Sequence, residues 1–140
     1  MRTGENTLWA LVVLIYLILA LHIVAEVFFL YWTYTWYDLV MHFLGGLWLS
    51  LALLWMAQSS GYLKTEPTAV PALLSIVCGV LLIGLLWEVF EYFTNIFFSI
   101  EFKDGYVFDT ILDVTMDFLG GGTGYFVYRQ LLEAPVSQPE

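Results

Sequence analysis

Nine side chains have types and spacings suited to metal or proton chemistry. His22 and Glu26 stand four residues apart, as do Asp38 and His42. Glu88 and Glu91 are three apart, and Asp109, Asp113 and Asp117 step by four. On a helix each of these sets lies on one face. No Lys or Arg occurs between positions 3 and 63, 65 and 102, or 104 and 128, so no set has a cation near it in sequence. Imidazole with carboxylate is a donor set for Zn2+, Mn2+ or Fe2+, and suits Ca2+ less.

The elements that must position these groups follow from composition. The chain has 140 residues, 61% of them hydrophobic and only 12% charged, with a mean hydropathy of +0.82. Soluble domains are nearer half apolar and a quarter charged, and disordered chains need low hydrophobicity. What remains is an integral membrane protein. A net charge of −9 excludes nucleic acid as a partner, because phosphate binding needs a basic surface. The single cysteine, Cys78, cannot form an internal disulfide.

A spanning helix needs about 20 mostly apolar residues. Four stretches meet this: 8–31, 36–57, 70–98 and 108–132, the last weakened by Asp113 and Asp117. The whole chain, 1–140, thus reads as one transmembrane domain, an all-α four-helix bundle with four transmembrane helices. Residues 33–35 form a link short enough to make the first two spans a tight antiparallel hairpin. The polar stretches 58–68 and 101–105 are the other turns, and 134–140 is a polar tail. The apolar run after Arg2 is too long for a signal-peptide core and is expected to stay as a helix. With four spans, Arg2, Lys64 and Arg129 share one side and Lys103 lies on the other. The N- and C-termini are therefore expected on the cytoplasmic side of a cell membrane.

At about 1.5 Å per residue, all nine groups fall between about 2 and 15 Å from the non-cytoplasmic ends of their helices. A bundle that turns these faces inward gathers seven carboxylates and two imidazoles in one outer half, without a cation. Carboxylates crowded in a low dielectric repel each other and lose hydration. A bound metal, shared protons or a water-filled vestibule would relieve this. Metal binding is the favoured reading, ahead of proton or cation conduction and of a hydrogen-bonded structural core. Glu88 and Glu91 are the most specific pair, since two buried glutamates one turn apart have no cheap structural use. Asp109 could equally serve as a helix cap, Asp38 less readily so, and His22 taken alone reads as a core histidine. Gly120-x-x-x-Gly124 is a close-packing pattern for membrane helices. Trp32, Tyr34, Trp36 and Tyr37 read as an interfacial aromatic belt, and Trp48, Trp55 and Trp87 as packing or lipid-facing.

The strings DLVMHFLGG, WEVFEY and DTILDVTMDFLGGGTG resemble the poorly characterised YjdF-like membrane proteins of bacteria and archaea, over the second to fourth spans, about two thirds of the chain. The residues this likeness carries over are Asp38, His42, Glu88, Glu91, Asp113 and Asp117. His22 and Glu26 rest on depth alone. The order of acidic motifs is also similar, more distantly, to the VanZ-like proteins linked to glycopeptide resistance. Those tend to carry Lys after the first Asp, where this chain has Leu39, and a basic residue before the last Asp motif, for which Lys103 is a poor match. Neither resemblance implies an established reaction.

The expected site is thus a metal centre of His22, Glu26, His42, Glu88, Glu91, Asp113 and Asp117 holding one or two divalent ions (Zn, Mn or Fe). Asp38 is the candidate general base, and Asp109 a group that holds a ligand in place from behind or a helix cap. Such a metal could acidify a water for attack on a lipid or lipid-linked substrate just below the head groups. The scarcity of basic residues to hold a phosphate counts against phosphate chemistry. The alternatives are a cation or proton transporter using the same acids, in which a homo-oligomer could supply the missing half of a path, and a non-enzymatic accessory membrane protein.

Overall fold

The computed structural model describes residues 2–62, 69–94 and 106–133, and every element in them is an α-helix. They are α1 (Arg2–Phe28), α2 (Leu30–Thr33), α3 (Trp36–Ser59), α4 (Ala69–Thr94) and α5 (Tyr106–Glu133). Three stretches are long and apolar enough to cross a membrane: Gly4–Phe28, Trp36–Ser59 and Val70–Phe93. The fourth, α5, has the length at 28 residues but not the apolarity, because three aspartates and a glycine run dilute it.

The first helix is expected to run to residue 31 and ends earlier. Phe29 adopts a left-handed conformation (φ 56°), uncommon for a residue with a side chain. The break turns Tyr31 inward, where it is buried and packs edge-on against Tyr37 with ring centroids 5.4 Å apart. Tyr37 is likewise buried and donates to the Leu21 carbonyl at 3.0 Å, so it leaves the aromatic belt expected of it. Trp32, Tyr34 and Trp36 stay exposed, as a belt requires. The helix α3 ends two residues later than expected. There the N–H of Ser60 bonds to the Met56 carbonyl, and left-handed Gly61 bonds to Gln58. The stretches 63–68, 95–105 and 134–140 lie outside the described residues. With them go most of the 58–68 loop, the end of the third span, the 101–105 turn and the tail.

The central element is α3, which packs against all the others. Two of its indoles reach α1: Trp48 Nε1 donates to the Leu11 carbonyl at 3.0 Å and Trp55 Nε1 to Gly4 at 3.1 Å. Together with Tyr37 on Leu21, these contacts descend α1 as α3 ascends, which makes the pair antiparallel. Glycines set the α3–α5 contact. A methyl group on Gly46 would meet the Asp117 carbonyl, one on Gly120 the Phe43 carbonyl, and one on Gly124 the Ser50 hydroxyl. This is the close approach expected of Gly120 and Gly124. The register (43 with 120, 50 with 124, and Leu54 with Tyr128) makes α3 and α5 parallel. Leu51, Leu54, Ala72, Ile76, Val80 and Tyr128 fill the end of the bundle near the C-terminus of α3. Ala25, Tyr31 and Tyr37 close the other end. The polar cluster lies between these two apolar groups.

Candidate functional site

His42 is the hub. It sits on the second turn of α3 and is buried. Its Nε2 lies 4.0 Å from Asp38 Oδ1, 4.0 Å from Glu88 Oε1 and 3.9 Å from Asp113 Oδ1. Its Nδ1 lies 3.4 Å from Asp117 Oδ1. Three helices therefore deliver carboxylates to one imidazole: α3 itself, α4 through Glu88, and α5 through Asp113 and Asp117. Parallel α5 brings its second and third aspartates level with His42, and the glycine contact at Gly46 draws Asp117 in.

Two triads emerge. Asp38, His42 and Asp113 offer ligand atoms within 4.8 Å of one another, and so do His42, Glu88 and Glu91. Two metal–ligand bonds of about 2.1 Å separate their donor atoms by about 3.4 to 4.2 Å, depending on the angle between them. The His42 contacts are of this size.

The oxygens of Glu88 differ in surroundings. Oε2 accepts from Thr110 at 2.8 Å, and the Glu88 backbone carbonyl accepts from Tyr106 at 2.8 Å. Oε1 is buried and, among the described residues, has no hydrogen-bond partner; the same holds for Asp113 Oδ1. Glu88 is 4% exposed and Asp113 1%. A buried polar atom without a partner costs about 1–3 kcal/mol, and more when charged. Both orphaned oxygens point at the same imidazole nitrogen. Glu91 is held by Trp87, whose Nε1 donates to Oε1 at 3.0 Å.

The remaining sequence candidates sit apart. His22 is exposed on α1, bonded through Nδ1 to Tyr31 at 2.9 Å, and is in neither triad. Glu26 is exposed one turn further along α1 and is also in neither. Asp109 lies inside the first turn of α5, three residues past its first residue, so it is not the residue preceding the helix that a cap requires. Asp38 likewise lies inside α3, whose preceding residue is Thr35. Thr110 and Tyr106 escaped the sequence reading, and Trp87, read there as packing or lipid-facing, also serves Glu91. Thr110 precedes Asp113 by three and Trp87 precedes Glu91 by four, so helical spacing from an acid was the signal that could have found them.

A cavity of about 390 Å3 opens beside the cluster. His22 on α1, Asp38, His42 and Gly45 on α3, Glu91 on α4 and Asp117 on α5 line it, together with apolar side chains. Among the described residues α1 and α4 do not approach within 8 Å at any Cα pair. The cavity is therefore a cleft between these two helices, floored by α3.

The fold and the cluster define a class: an all-helical membrane protein with an imidazole and several carboxylates buried among its helices. Residues 6–132 match the family described as "Predicted membrane protein (DUF2238)", and the chain belongs to that family. No curated protein and no solved structure matches it.

Proposed function

We propose that this chain crosses the membrane four times and holds a divalent transition metal at the His42 cluster, as a metal-dependent hydrolase or transferase for lipid or lipid-linked substrates. The observation that carries the metal is the pair of orphaned oxygens, Glu88 Oε1 and Asp113 Oδ1, both about 4 Å from His42 Nε2. In this reading His42 Nε2, Glu88, Asp113 and one of Asp38 or Glu91 bind the ion. Asp117, against Nδ1, orients the ring, as carboxylates commonly do behind metal-bound histidines. A bound ion would supply Lewis-acid chemistry in a water-poor site. Asp38, on α3, is the least buried of the cluster acids and walls the cleft, so it is placed to move a proton.

The fourth span draws support from α5 itself. It accompanies α3 in parallel from the His42 level to Gln58, about 24 Å at the helical rise. An even number of spans would put both termini on one side, and the sparse cations favour the cytoplasm. Conduction through one copy of the chain finds less support, because the apolar group around Leu51, Leu54, Ile76 and Val80 fills the bundle beyond the cluster.

The test is metal content per chain in protein purified without chelators, read by inductively coupled plasma mass spectrometry. The expectation is about one or two transition-metal ions per chain, lost in Glu88→Ala/Glu91→Ala. A chain that stays metal-free after reloading with Zn2+, Mn2+ and Fe2+ overturns the metal reading.

A further inference from the structure

The cleft between α1 and α4 changes character along its length. At the α2 end its walls are His22, Tyr31, Asp38 and Glu91; away from that end they are Leu49 on α3 and Val80 and Ile83 on α4. The distance from His42 to Leu49 is seven residues, about 10 Å along the helix axis. Both flanking helices are apolar enough to cross the bilayer, and they do not touch, so the cleft faces the hydrocarbon sideways. Its volume of about 390 Å3 lies at the lower end of the roughly 300–1,000 Å3 usual for small-molecule sites. That suits one hydrocarbon chain better than two.

The polar end carries a constraint on charge. Its acids are Asp38, Glu91 and Asp117, and among the described residues no Lys or Arg lines the cleft. A phosphate head group would face carboxylates at close range in a low dielectric, which is unfavourable, and the carboxylates of Asp38, Glu88, Glu91, Asp113 and Asp117 outnumber the charge that one divalent ion at His42 would bring. An uncharged oxygen head group, an alcohol or an ester, would meet His22, the Tyr31 hydroxyl and the cluster without that repulsion. We infer that the cleft admits from the bilayer a single-chain lipid with an uncharged oxygen-bearing head group, chain along Leu49, Val80 and Ile83 and head at His42. The chain site stands on the cleft alone; the presentation of the head group to a metal rests on the reading above.

Gly45 provides the test. It lines the cleft, and a methyl group built on it meets nothing within 4 Å. Gly45→Leu therefore projects a side chain toward the cleft whose first carbon displaces nothing. The opposite wall offers Ile83→Phe as a second plug, should the first variant fold poorly. The probe is a long-chain alkyl alcohol bearing a photoreactive diazirine, applied to the full chain in nanodiscs, with metal content and thermal midpoint measured on the same samples.

The expected result is labelling of cleft residues that unlabelled alcohol competes away at a concentration about tenfold lower than the alkyl phosphate of equal length. A folded plug variant should lose the labelling and keep its metal. Labelling that survives a folded plug overturns the chain site, and equal competition by the phosphate overturns the head-group assignment. A metal-free wild type whose labelling is still abolished by the plug supports the chain site while overturning the metal reading. The two failures are thus distinguishable.

Discussion

The two nitrogens of His42 meet different surroundings, and the difference gives each acid a separate expectation. Nε2 faces Asp38, Glu88 and Asp113, while Nδ1 faces Asp117 alone. Glu88 is the acid whose setting is most finely defined, because one oxygen is satisfied by Thr110 and the other is orphaned. Thr110→Val removes the hydrogen bond to Oε2 at nearly constant volume. It should lower metal affinity by about tenfold or more, in the range typical of residues that hold a ligand in place. Competition against a chelating dye would measure this, and an unchanged affinity would mean that Glu88 is not a ligand. Sequence alone singled out His42, Glu88, Asp113 and Asp117 as candidates, because ionisable groups four and three apart on apolar helices are conspicuous, and the fold brings these side chains together. It could not identify Thr110 or Trp87 as their partners. A hydroxyl or an indole costs a membrane helix little, so neither stands out until neighbouring helices are in place.

Helix faces explain which candidates met and which did not. Depth from a helix end can be read by counting residues, and by depth His22 and Glu26 were level with the cluster. The direction in which a face points cannot be read this way, since an apolar helix such as α1 has no polar stripe to show it. Its rotation is fixed by the indoles of Trp48 and Trp55 and the Tyr37 hydroxyl on backbone carbonyls, a tertiary fact. The result leaves Glu26 exposed and puts His22 only on the cleft wall. The end of α1 at Phe29 was equally hidden, because nothing about a phenylalanine announces a left-handed backbone. By contrast the glycine pattern on α5 was legible. Neighbouring glycines on α3 should behave oppositely. Gly46→Ala drives a methyl into the Asp117 carbonyl and should destabilise by about 1–3 kcal/mol. Gly45→Ala meets open space and should stabilise by about 0.5–1 kcal/mol through the lower entropy cost of alanine in a helix. Thermal unfolding in one detergent would order the pair, and similar midpoints would refute the α3–α5 contact.

At the scale of the whole molecule, three helices could hold themselves in a bilayer and the fourth leans on them. An aspartate at the centre of an inserting helix costs about 2.5–3.5 kcal/mol, and α5 brings Asp113 and Asp117. Its glycines, which let it lie against α3, add little apolar surface of their own. An insertion assay by glycosylation mapping should find α5 poorly inserted as an isolated segment and well inserted in the full chain. Equal insertion in both settings would show that it needs no companion. The consequence concerns how the protein is made. The helix least able to enter the membrane unaided is made after α1, α3 and α4, and it also carries half of His42's acidic partners. On the proposed four-span reading, the polar centre would therefore assemble only after the earlier helices are seated, its last acids entering the bilayer when a waiting groove on α3 receives them.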